Sequence, residues 1–169
     1  MLVGRKLSNF PSVRQADENS CIPASVEGVT KYFRRESVIT QQDIWSRFEK
    51  DCATKKKNPS NINLGWMKEF IDSDPEFQWA TSENGGAKDF QMLLTVVKNS
   101  IDNALPVIIS IPVGNGRYHM LTIFGYDNTS FDVHDPDPHA VQNPFRMPVG
   151  RLKAALSSKG TDYLVLRPK

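Results

Sequence analysis

Cysteine is scarce in this sequence: 169 residues contain two, Cys21 and Cys52. A disulfide framework needs more, and a zinc site needs short Cys pairs or closely spaced histidines, which the three scattered histidines do not supply. Two free thiols and no metal are therefore expected. Long apolar runs are lacking as well. Nothing approaches the roughly 20 residues of a membrane-spanning helix. The opening MLVGRKLSNF has no stretch suited to a secretory signal. These absences lead to the expectation of a soluble, cytoplasmic protein with no membrane partner, while delivery into another cell stays open. Charge of one sign is also missing, since 21 Lys and Arg face 19 Asp and Glu. The one dense basic run, Lys55-Lys56-Lys57 before Asn-Pro-Ser-Asn, reads as a solvated loop. A nucleic-acid surface needs a stripe of basic residues with aromatics interleaved, so nucleic acid is not an expected partner.

What is present, 39% hydrophobic and 24% charged residues, suits one hydrophobic core, and the length points to a single domain over residues 1–169. Ser20 as N-cap, Pro23 in the first turn and the spacing of Ile22, Val26, Val29 and Phe33 predict a helix from Cys21 to about Arg34. Thr40 with Asp43 resembles a capping box and starts a second helix, Gln41 to Glu49. Residues 51–63 read as an exposed loop. Leu64, Met67, Phe70 and Ile71 suggest a short third helix, Phe77 to Ala80 a brief strand, and Glu83-Asn84-Gly85-Gly86 a turn. A stripe from Phe90 to Leu105 has helical period. The pattern then turns to strands: VIISI after Pro106, His119–Tyr126 and Phe131–Asp135 around an Asp-Asn-Thr-Ser turn, and Tyr163–Leu166 after a short helix at Val149–Leu156. Pro136 and Pro138 are expected to end regular pairing. Helices first and antiparallel strands second give an α+β class, a helical N-terminal half packed on a C-terminal sheet.

The chemistry gathers around Cys21. A thiolate is favoured where a helix N-terminus supplies partial positive charge and a histidine takes the proton. Cys21 opens the first helix. His119 and Asp135 occupy the two arms of the predicted hairpin, near the ends remote from its turn, and are expected as cross-strand neighbours. Side chains alternate along a strand, so if Asp135 orients His119, His134 faces away. Gln15, six residues before Cys21, is suited to donate its amide to an oxyanion, with the Cys21 N–H as second donor.

The segments "QADENSCIPAS" and "YHMLTIFGYDNTSFDVHDPDP", in that order, resemble the papain-like cysteine peptidases, and among them the stand-alone relatives of the bacteriocin-processing, double-glycine leader peptidases. The resemblance implies a papain-like fold with Cys21 as nucleophile, His119 as general base and acid, Asp135 as its orienter and Gln15 as oxyanion donor. It also implies a peptide or protein substrate and no cofactor. Residues 36–105 match only in general character. Ile22 stands where bacteriocin-processing members usually have Gly, and their transporter domains are absent, so processing coupled to export is not expected.

Each residue has a plainer reading. A lone Cys on an apolar helix is most often core, an isolated strand His is most often packed, Gln15 sits in a polar stretch, and Asp135 or Asp137 before proline can simply start a turn. Cys52 reads as structural. Gly85-Gly86 has the form of a leader-peptidase cleavage site, but reads first as a turn. Tyr118, Asn115 and Trp66 are positional candidates for a groove border. Two other functions share the same groups: an acyl transferase using Cys-His-Asp, and an inactive peptidase-fold binding module. Four residue types in the right order and spacing favour the peptidase.

Overall fold

The computed structural model describes residues 4–33, 39–77, 79–156 and 161–169; the predicted end of the first helix at Arg34 lies outside them. The chain enters with β1 (Arg5–Lys6) and an extended stretch, then α1 (Cys21–Phe33), α2 (Gln41–Thr54), a 3-10 turn (Pro59–Asn61) and α3 (Leu64–Ser73). β2 (Trp79–Ala87) and α4 (Phe90–Asp102) follow. The remainder is β3 (Val107–Gly114), β4 (Arg117–Tyr126), β5 (Ser130–His134), β6 (Phe145–Pro148), α5 (Val149–Ala155) and β7 (Thr161–Pro168). All strands join one seven-stranded antiparallel sheet of order β2-β7-β3-β4-β5-β6, with β1 paired to Gly125 and Tyr126 of β4. The class is α+β, as expected.

Alternation along the central strands splits the apolar residues into two cores. Val107 and Ile109 of β3, Leu121 and Ile123 of β4, and Tyr163 and Val165 of β7 pack with Leu93, Val96, Val97 and Ile101 of α4 and Leu152 of α5. Ile108, Met120, Leu164 and Leu166 pack instead with α1, α2 and α3. VIISI is thus buried by helices on both sides, which its unbroken β-branched character anticipates. Each such side chain contributes on the order of 1.5–3 kcal/mol. The result is a sheet between two helical layers rather than helices against one face.

α1 is the central element. Its stripe suggests one apolar face, yet every residue from Ile22 to Thr30 is buried, including Glu27. The N-terminal stretch packs on this helix at Gly28, where a Cβ would stand in ordinary van der Waals contact with the Phe10 ring at 3.8 Å.

Four local expectations change. α2 runs one turn beyond Glu49 because Cys52 continues the buried row Ile44–Phe48 at four-residue spacing, so residues 51–54 are helix and not loop. The lysine run beyond is partly tied down: Lys55 pairs with Asp51 at 2.8 Å, and Lys57 with Glu69 at 2.9 Å. Gly85-Gly86 is not a turn. Both glycines lie inside β2, opposite Tyr163 and Asp162 of β7, and a peptide bond held in a ladder is not free to enter a cleft. Pairing also resumes after Pro136 and Pro138, as β6 on the edge beside β5. Among the described residues no helix is long and apolar enough to cross a membrane.

Candidate active site

Cys21 is the first residue of α1, and the Ser20 carbonyl accepts the first helical hydrogen bond from Ala24 N at 2.9 Å. Its own N–H belongs to the first turn, where backbone donors lack helical partners. The two cysteines differ: Cys52 is buried, whereas Cys21 is partly exposed.

His119 lies near the start of β4 and Asp135 directly after β5. The register pairs Thr122 with His134, so one further step sets Asp135 opposite Leu121. His119 is therefore its diagonal cross-strand neighbour on the same side. The imidazole spans that offset: His119 Nε2 meets Asp135 Oδ1 at 2.6 Å, each side chain 19% exposed. With Nε2 occupied, Nδ1 is the ring nitrogen left to face Cys21, whose side chain interacts with the imidazole strongly enough to favour its protonated form. Burial alone would lower the His119 pKa, but the hydrogen bonds with Asp135 and then Cys21 outweigh it and raise it to about 9. Burial likewise works against the Asp135 carboxylate, and the bond from His119 with the Asp137 N–H overcomes it, holding the pKa below the usual range.

The alternation that aims Asp135 at His119 turns His134 elsewhere. Its Nε2 accepts the Val13 N–H at 3.1 Å and meets Asn143 Nδ2 at 3.1 Å. Two N–H donors on one ring nitrogen require a neutral imidazole, and burial, reinforced by Arg14, lowers the pKa to about 4. Asn143 also accepts the Asp135 N–H at 3.0 Å and donates to the Asp135 carbonyl, so it fixes the backbone that carries the carboxylate. Nothing local in the sequence marked Asn143.

Gln15 lines the same cavity as His119 and Asp135, about 700 Å³, while Cys21 lines an adjoining one of about 470 Å³ with Ile22, Ile62, Leu64 and Met120. Glu18, Arg117 and Tyr118 border both, so the two cavities share a wall. The Gln15 N–H bonds the Pro136 carbonyl at 2.8 Å, one residue beyond Asp135. Its side-chain Oε1 is buried with no hydrogen-bond partner among the described residues, so that end of the amide is not used in holding the fold together. Of the three suggested border residues only Tyr118 lines this cleft. Trp66 instead lies beneath Lys57 Nζ at 4.6 Å, and Asn115 occupies the β3–β4 turn at φ 51°.

A cysteine at a helix start, a histidine beside it and a carboxylate behind the histidine sit on a sheet layered by helices, and the fold is a papain-like α+β fold. The protein belongs to the peptidase C39-like family, whose profile matches residues 7–147. Among solved structures it is similar to the peptidase domain of Streptococcus ComA, a bifunctional ABC transporter of a quorum-sensing pathway. The two are 20% identical with a TM-score of 0.67, over 95% of this chain and 100% of that one. A Bacillus anthracis protein described as a C39-like peptidase aligns at 14% identity and a TM-score of 0.66, over 99% of this chain and 100% of that one. At these identities the likeness is one of fold. No curated protein matches the sequence.

Proposed function

We propose that the protein is a cysteine peptidase acting on a peptide or isopeptide bond, with residues 1–169 forming one domain around a shared sheet. Cys21 attacks the carbonyl, and His119 receives the thiol proton and later delivers it to the leaving amine. Asp135 holds the imidazole in place and stabilises its cationic form. Gln15 and the Cys21 N–H are the oxyanion donors, and a thioester links the two half-reactions. No metal or cofactor enters the scheme. The observation that carries this reading is the His119–Asp135 bond of 2.6 Å, on a ring whose protonated form Cys21, at the start of α1, also favours.

The test is labelling with an electrophilic probe of the papain-inhibitor type, located by mass. Adduct confined to Cys21, unchanged in Cys52→Ala and lost in His119→Ala, is the expected result. Equal labelling of both thiols, or none, would leave a peptidase-fold binding module as the better description. Supplying a thiol or amine acceptor with a cleaved peptide substrate separates hydrolysis from acyl transfer.

A further inference from the structure

We infer that Gln41 is the positioning residue for the oxyanion donor Gln15, an inference that rests on the catalytic reading above. Gln41 is the first residue of α2 and has no place in the proposed chemistry. Its side-chain amide brackets Gln15 on both sides: Oε1 accepts the Ala16 N–H at 2.8 Å, and Nε2 donates to the Arg14 carbonyl at 2.8 Å. One donor and one acceptor at the tip of a single side chain match the two backbone groups that flank Gln15.

Gln41 is itself anchored. Its backbone N–H donates to Glu27 Oε2 at 2.7 Å, and Glu27 is a buried carboxylate on α1, paired with Lys31 at 2.5 Å. The start of α2 is also fixed by the reciprocal Thr40–Asp43 capping box. A carboxylate facing the first backbone N–H of a helix is well placed electrostatically. The nucleophile and its oxyanion donor are thereby referred to one rigid element. α1 presents Cys21 at its first residue and, through Glu27 and Gln41, fixes the loop that carries Gln15. The Gln15–Pro136 bond ties the same loop to the segment bearing Asp135.

Length and chemistry both matter at position 41. Glutamate would keep the acceptor for Ala16 but set an oxygen against the Arg14 carbonyl. Alanine keeps the helix start and the Glu27 contact, which uses the backbone, and removes both links to the Gln15 loop.

The test uses two small reagents that react with Cys21 in different ways. With p-nitrophenyl acetate, sulfur adds to the carbonyl, a tetrahedral oxyanion forms, p-nitrophenolate leaves, and Cys21 carries an acetyl thioester while His119 takes the thiol proton. With iodoacetamide, sulfur displaces iodide and no oxyanion forms. Loss of one oxyanion donor costs about 100-fold or more, so Gln15→Ala is expected to slow acetylation by about that factor. A displaced donor retains part of its effect, and Gln41→Ala is expected to slow acetylation by about 10-fold. Both variants should alkylate with iodoacetamide within about twofold of wild type, because the Cys21–His119 pair is untouched. Added to Gln15→Ala, the second substitution should cost nothing further. Gln41→Glu, which preserves one of the two links, should fall between Gln41→Ala and wild type, and serves if the alanine variant folds poorly. Wild-type acetylation by Gln41→Ala, equal slowing of both reactions, or a full additional loss in the double variant would overturn the inference. A wild-type protein that is neither acetylated nor alkylated at Cys21 would instead overturn the catalytic reading beneath it.

Discussion

His119 and His134 lie on neighbouring strands of one hairpin, and the fold drives their ionisation in opposite directions. Burial pushes both pKa values down. At His119 that push is reversed by groups that bind the cation, the Asp135 carboxylate and the Cys21 thiol, and the pKa reaches about 9. At His134 the ring nitrogen faces two N–H donors and the Arg14 charge, and the pKa falls to about 4. The side chain is the same, and what differs is whether its nitrogen is asked to give or to accept a hydrogen. One histidine thereby has its cationic form favoured beside Cys21 in a cleft, the form it takes on receiving the thiol proton, and the other is kept neutral as a joint between β5 and the N-terminal stretch.

Breaking the cleft side of the comparison should have the largest effect. Once a cleavable substrate or activated ester is in hand, Cys21→Ala should reduce turnover to background, and His119→Ala by about 100-fold to 10,000-fold. Asp135→Asn should cost less than His119→Ala, since it removes the orienting charge and leaves the base. His134→Gln should leave turnover within about tenfold of wild type and lower stability instead, by about 1–3 kcal/mol for the disturbed buried hydrogen bonds. A His134 variant as inactive as His119→Ala would erase the contrast.

Stability against pH sharpens it further. The His119 pKa is raised, so its stabilising contribution is fully present below about pH 6.5 and is lost as pH climbs towards 9. The His134 pKa is lowered, so its contribution is present above about pH 6.5 and is lost as pH falls towards 4, by on the order of 3 kcal/mol in all. The two windows meet near pH 6.5, where the histidines jointly favour the folded state most. Urea titrations across this range should show His134→Phe flattening the acid limb and Asp135→Asn flattening the alkaline limb.

The site was legible where its residues carry local signals. Ser20 before Cys21 marked the helix start, and the Asp-Asn-Thr-Ser turn brought His119 and Asp135 to the same end of a hairpin. Strand alternation also separates the directions in which His134 and Asp135 point. Obscure parts depend on partners distant in the chain. Glu83-Asn84-Gly85-Gly86 has turn composition, yet it is strand because β7, some eighty residues later, offers a complete ladder. Cys52 was masked by the lysines after it, although it lies four residues beyond Phe48 and extends the same row. Asn143 and Gln41 act through hydrogen bonds spanning 8 and 25–27 residues, and an isolated Asn or Gln gives no sign of what its amide will meet. The candidate groups Cys21, His119 and Asp135 were visible from their chemistry, while the polar side chains around them became visible only in the fold.

The most direct test is a titration of the histidine ring protons by NMR in wild type and in Cys21→Ala. One wild-type histidine should titrate near 9 and a second near 4, with the first moving down when the thiol is removed and the second unmoved. Three histidines all titrating near 6.5, or a high value indifferent to Cys21, would contradict this, because nothing would then couple His119 to Cys21.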